Sequence, residues 1–130
     1  MKKLLFPLFM AASFALSGCQ QIEKSEKIKK NLEKKEYSVE VVEKQEVEAR
    51  ISGITWNVEI KETLYATKEK EAIVAFFCAN IDDASKFVEE NIAVLSAVAT
   101  FYGEDTKCGS HNNVAYVGTR TAVEDAGLTK

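Results

Sequence analysis

The feature that most constrains the fold is the stretch 72–79 (AIVAFFCA), which is apolar on both of its alternating faces. A strand with one face in water alternates apolar and polar residues, whereas a strand covered on both faces is apolar throughout. We therefore expect 72–79 to be a central strand, covered by the protein on both sides or by the protein on one side and a partner on the other. The chain then folds around a sheet.

Other segments show the periods of strands and helices. Alternating apolar residues predict strands over 37–41 (YSVEV), 54–66 and 114–117. Val47 and Ile51 stand four residues apart before Gly53, which indicates a short helix. Apolar residues then step by three and four along a second helix that runs from about residue 83 to Tyr102 and ends at Gly103.

The order of these elements predicts an α+β fold, the ferredoxin-like split βαβ (βαββαβ) with a four-stranded antiparallel sheet. Extra helices are expected at both ends of it. Residues 19–36, mostly Lys and Glu with Ile28 and Leu32 four apart, predict a charged helical tether. The predicted organisation is a signal segment over 1–18, this tether, a single domain over 37–127 and a tail over 128–130.

The first eighteen residues have the parts of an export signal. Lys2 and Lys3 give a basic start, residues 4–16 carry no charge, and two small residues precede Cys19. A transmembrane helix needs about 20 apolar residues, and this stretch is shorter and contains Pro7. The pattern therefore favours an export signal over a membrane span.

The tetrapeptide Leu16-Ser17-Gly18-Cys19 resembles the lipobox of bacterial lipoproteins. The resemblance implies that a signal peptidase removes residues 1–18 and that Cys19 carries a diacylglyceryl group. The protein would then be anchored by lipid on the extracytoplasmic face of the cell membrane. Gln20 after the cysteine implies the outer membrane if the host is Gram-negative. An ordinary signal peptide with a cysteine nearby is the alternative.

The remaining chain is acidic and of the size of one domain. Removing residues 1–18 takes away two lysines and leaves 15 basic and 20 acidic residues, a formal charge of −5. This charge argues against nucleic-acid binding. The segments YSVEV, ETLYATK and NVAYVGT resemble those of small α+β proteins and lipoproteins of low-G+C Gram-positive bacteria, a resemblance that implies no particular activity.

The chain offers few candidates for chemistry. Cys78 and Cys108 remain once Cys19 is lipidated, and an even pair of thiols outside the cytoplasm can form a disulfide. The split βαβ arrangement would put them at opposite ends of the sheet, which argues against the bond. His111 is the single histidine, and it stands three residues from Cys108 with no orienting third group evident. We therefore predict no catalytic residues, no metal ligands and no cofactor.

The most unusual segment is 92–102 (IAVLSAVATFY), which is apolar around the whole helix. One stripe can cover the sheet, and Ala93, Val94, Ala97 and Phe101 then face elsewhere. An apolar face that the fold leaves uncovered marks a partner site. The alternative is that the N-terminal or C-terminal helix covers it.

These observations lead to a hypothesis of a membrane-anchored, non-enzymatic module that binds an envelope protein or a second copy of itself. The alternative is a lipoprotein that binds a small ligand or serves in envelope stress. A third hypothesis, an enzyme using Cys108 and His111, has the least support from the sequence.

Overall fold

A computed structural model describes residues 22–103 and 105–128, so the lipobox and Cys19 lie outside the described residues. The elements in chain order are α1 (Ser25–Lys34), β1 (Ser38–Val42), α2 (Lys44–Arg50), β2 (Ile60–Lys68), β3 (Glu71–Cys78), α3 (Ile81–Glu90), α4 (Ile92–Tyr102), β4 (Thr106–His111), β5 (Val114–Thr119) and α5 (Arg120–Ala126). The predicted α+β class is confirmed.

The strands form one antiparallel sheet in the order β1-β2-β3-β5-β4. β3 lies in the middle, and every side chain from Ile73 to Cys78 is buried. The prediction of a central strand over 72–79 is therefore confirmed, and both of its faces are covered by the protein itself.

The sheet differs from the four-stranded split βαβ arrangement in number and order of strands. The polar character of residues 103–113 predicts a loop there, yet residues 106–111 form β4 and pair with β5 along their whole length. This strand has no clear alternation of its own, and pairing with β5 stabilises it. A split βαβ unit requires two parallel strands around its helix, whereas β1 and β2 are antiparallel neighbours joined through the short α2.

The second predicted strand begins six residues later than expected, at Ile60. Residues 54–59 instead form an irregular segment. Glu62 interrupts the apolar row of residues 54–66, and an inward-pointing charge of this kind predicts a strand at the edge of a sheet. Glu62 lies at a register shift between β2 and β3, so β2 is an inner strand with a bulge rather than an edge.

Helices cover both faces of the sheet. On one, the α1/α5 face, α1 and α5 pack over a core that includes Leu64, Ile73 and Phe77. On the other, the α3/α4 face, side chains of α2, α3 and α4 pack over a core that includes Phe76 and Val117. The result is three layers, with the sheet in the middle.

The first helix is part of the core rather than a tether. Ile28 is 0% exposed and Leu32 is 1% exposed, because both are packed on the α1/α5 face. Leu128, assigned by the sequence to the tail, is also buried there at 1%. The domain therefore includes α1 and extends through Leu128.

The predicted helix over 83–102 is broken at Asn91, a residue that is 1% exposed. The Asn91 Oδ1 accepts from Thr55 N at 2.6 Å, and its Nδ2 donates to the carbonyls of Thr55 (3.0 Å) and Phe87 (2.9 Å). The amide thereby ties the irregular segment 54–59 to the junction of α3 and α4. The predicted end at Gly103 is confirmed.

Candidate functional site

An apolar groove of about 660 Å³ lies beside α4. We call it the α4 groove. One wall is α4, with Val94, Ala97 and Phe101 among its lining residues, and the other is the end of α2 with Ile51. Val42 of β1, Tyr65 of β2 and Val74 of β3 also line it, so the sheet contributes its floor.

The groove exists because α4 is apolar all round while the fold buries only part of it. Leu95 is fully buried against the sheet. The two helices that could have covered the rest, α1 and α5, pack on the opposite face of the sheet. The alternative that an N-terminal or C-terminal helix covers α4 is therefore wrong. Ala93, Val94, Ala97 and Phe101 all line the groove, as the sequence grouped them.

Phe101 is the most anomalous side chain on this surface. It is 87% exposed, although moving a phenylalanine ring out of water is energetically favourable. Ala93 and Ala97 are also exposed, and Val94 is half-buried. A cluster of exposed apolar side chains beside a concavity is typical of a binding site.

The lining of the groove also includes polar groups, among them those of Arg50, Tyr65 and Tyr102. The Arg50 guanidinium lies 5.0 Å from the centre of the Tyr65 ring and donates to Glu40 Oε1 at 3.3 Å. The pKa of Tyr102 is raised to about 12, chiefly by burial and to a lesser extent by nearby Tyr65, with Arg50 opposing the shift. The Tyr102 hydroxyl therefore stays neutral at physiological pH and can donate a hydrogen bond.

The two cysteines are both free thiols, so the disulfide that the sequence left possible, and against which the predicted topology argued, is not formed. Cys78 is buried at the end of β3, and Cys108 is half-buried in β4, with β5 between the two strands. The register places Cys108 level with Val74, four residues before Cys78. Two strand spacings and four residues of rise put the Cα atoms about 16 Å apart, beyond the roughly 7 Å that a disulfide spans.

Cys108 and His111 do not form a catalytic pair. In β4 they are opposite Val117 and Val114, which belong to the cores of different faces of the sheet. Their side chains therefore point to opposite faces. Within residues 22–103 and 105–128, no three His, Cys, Asp or Glu side chains are grouped so that they could hold a metal ion.

A second polar arrangement, which the sequence reasoning missed, surrounds Glu23 just before α1. The Glu23 backbone N–H donates to Asn113 Oδ1 at 2.6 Å, and Asn113 Nδ2 donates to the Glu23 carbonyl at 3.2 Å. The Glu23 carboxylate accepts from Asn112 Nδ2 at 2.8 Å and from Lys27 Nζ at 3.3 Å, and it lies 3.8 Å from His111 Nε2. We call these five residues the Glu23 clamp.

No sequence pattern predicts the clamp, because its members lie up to 90 residues apart. The Glu23 side chain is only 9% exposed, although it belongs to a run of charged residues of the kind that is usually exposed to water. Asn113 is 2% exposed and also donates from Nδ2 to the Cys78 carbonyl at 3.0 Å. The clamp therefore fixes the start of α1 to the turn between β4 and β5.

No helix of the described residues combines the length and the apolar character needed to cross a bilayer. Comparison of the chain with protein-family models, with curated proteins and with solved structures found no match.

Proposed function

We propose that the chain is an extracytoplasmic lipoprotein, anchored in the membrane by a lipidated Cys19, which binds another protein of the envelope through the α4 groove. The observation that carries the binding role is the exposure of Phe101, at 87%, on the rim of an apolar groove. The anchoring role is supported by Leu16-Ser17-Gly18-Cys19 after an uncharged stretch.

The shape of the groove favours a protein as the occupant. Along α4 the lining extends from Ala93 to Phe101, eight steps of 1.5 Å each, which is about 12 Å of helix. That length matches two turns of an amphipathic helix laid into an apolar groove, a common mode of recognition between proteins. A large aromatic side chain at the rim is also typical of the residues that carry binding energy.

The proposal includes no catalytic role, because the residues best suited to catalysis are unfavourably placed. Cys108 and His111 point to opposite faces of the sheet. The other thiol, Cys78, is buried, and burial raises its pKa to about 12. A thiol in that state is a poor nucleophile at neutral pH.

The test uses the lipidated protein in its native membrane, with a photoreactive amino acid at Ala97. This position is exposed and lines the groove, so a bound partner would be crosslinked there. Truncating Phe101 to Ala should lower the affinity for the partner roughly ten- to a hundred-fold, because burial of the Phe101 side chain contributes about 1.5–3 kcal/mol. The yield of crosslinked complex should fall accordingly.

Ile92→Ala is the matched control, because Ile92 is on the same helix and 49% exposed but is not part of the groove lining. Equal loss of the crosslinked species in both variants, or no loss in either, would contradict the binding role of the groove. A crosslinked species of twice the chain mass would identify a second copy as the partner.

A second candidate function is binding of a small apolar ligand with a polar head. The volume of about 660 Å³ falls within the range of small-molecule sites, and Arg50, Tyr65 and Tyr102 supply polar groups beside an apolar lining. Saturable binding of a fatty acid such as dodecanoate by the purified protein, with a rise in Tm that Phe101→Ala reduces, would favour this function over protein binding.

A further inference from the structure

The Glu23 clamp fixes where the lipid anchor leaves the domain. Asn113 pairs with both the N–H and the carbonyl of Glu23, so the backbone at residue 23 is held as a neighbouring strand would hold it. The carboxylate of the same residue is bonded to Asn112 and Lys27. Residue 23 is thus a rigid part of the domain rather than part of a spacer.

Cys19 precedes Glu23 by only four residues. Whatever their conformation, four residues span at most about 14 Å. On the basis of the proposed lipidation of Cys19, we propose that the domain sits directly on the phospholipid headgroups, with the end of the sheet that carries Asn113 against the bilayer.

The strand register defines this end of the sheet. The C-terminal ends of β1, β3 and β4 lie here, at Val42, Cys78 and His111, together with the N-terminal ends of β2 and β5. Ile22 directly precedes the clamp and is 48% exposed, so an apolar side chain is available to enter the interface. The partner of this surface is the bilayer itself.

The same geometry leaves the α4 groove accessible. The end of α4 is joined to the start of β4, where Thr106 Oγ1 donates to the Ala99 carbonyl at 2.8 Å. Thr106 is at the opposite end of the sheet from Asn113, and Phe101 lies in the last turn of α4 beside it. The rim of the groove at Phe101 therefore points away from the membrane, toward envelope proteins.

The experiment measures energy transfer from a dye on the protein to an acceptor in the headgroup layer. Lys61 is exposed next to Ile60 at the membrane end, and Lys70 is exposed in the turn between β2 and β3 at the far end. Each is changed to Cys in a Cys108→Ser background, and the lipidated protein is reconstituted in phosphatidylcholine vesicles. The seven steps along β3 separate the two ends by about 23 Å.

We expect the dye at position 61 to lie about 20 Å closer to the headgroups than the dye at position 70. A control variant carries ten Gly and Ser residues inserted after Gln21, which lengthens the maximum reach by about 35 Å without altering the described domain. The difference between the two positions should disappear in this variant.

Equal transfer from both positions in a protein whose mass shows acylated Cys19 would overturn the seating and leave the proposed function intact. A difference that persists after the insertion would also overturn it, because a short anchor would not be its cause. A mass without acyl chains would overturn the proposed function itself, and it is read before any transfer is measured.

Discussion

Replacing Asn113 with Ala should be among the most destabilising single changes outside the apolar core. The side chain is 2% exposed, and its amide makes three hydrogen bonds to main-chain groups, one from Glu23 N, one to Glu23 O and one to Cys78 O. Alanine removes all three while the main-chain groups stay in place. The partners are then left without a donor or acceptor in a buried site.

The size of the effect follows from these contacts. Each hydrogen bond contributes about 0.5–1.5 kcal/mol net, and a buried polar group left unpaired costs about 1–3 kcal/mol. Three such bonds are lost in a site where Asn113 is 2% and Glu23 is 9% exposed, so we expect a loss of about 3–4 kcal/mol in the free energy of unfolding. For a domain of this size, this loss lowers Tm by at least about 12 °C.

Urea denaturation followed by the fluorescence of Trp56 measures the change, with the slope against urea unchanged if the loss is a simple one of stability. Asn57→Ala is the matched control, because Asn57 is exposed and its loss should cost no more than about 0.5 kcal/mol. A loss below about 1 kcal/mol in Asn113→Ala would refute the view that the clamp holds α1 to the sheet.

Three further predictions concern the thiols and the glycines. A maleimide should label Cys108 in the folded protein and Cys78 only after unfolding, in both cases without a reductant. If labelling required a reductant, the conclusion that both cysteines are free thiols would be wrong. Burial raises the pKa of Cys78 from 9.0 to about 12, so the thiol loses its proton at lower pH in the unfolded chain than in the folded protein. The free energy of unfolding should therefore fall as pH rises from about 9 to 12, and it should fall less in Cys78→Ala. Gly118→Ala should cost at least about 1–3 kcal/mol in urea denaturation, since its Cβ would lie 2.7 Å from the carbonyl oxygen of Ala72. Gly109→Ala should cost less, because its Cβ would meet only the Tyr116 side chain, at 3.3 Å; equal costs would show that backbone crowding is not the cause.

Hydrophobic periodicity predicted the parts of the fold that depend on burial. The stretch 72–79 is apolar on both faces because the strand is covered on both faces, so its central place could be read from the sequence. The apolar excess of α4 could be predicted for the same reason, since its apolar residues outnumber those that one helix face can bury. Whether a terminal helix covers the rest could not be predicted, because that depends on α1 and α5 packing on the opposite face of the sheet. The position of Gly103 at the end of α4 followed from local backbone preference.

Features that depend on long-range hydrogen bonds could not be predicted in this way. Asn91 and Asn113 look like ordinary polar residues in a helix and a loop, yet each amide bonds to the N–H and the carbonyl of one distant residue. β4 forms by pairing with β5, and the order of the strands depends on which edges meet. Apolar periodicity carries no information about any of these contacts.

The way in which the α1/α5 face is closed has a consequence for when the chain can fold. The helices that seal this face come from opposite ends of the described sequence, and Asn31 Nδ2 donates to the Ala126 carbonyl across 95 residues. Bringing such distant segments together costs conformational entropy. The contacts that compensate for this cost form only when nearly the whole domain is present. A polypeptide that is still emerging from the ribosome therefore lacks one layer of its core, and this face of the sheet can close only after α5 has been synthesised.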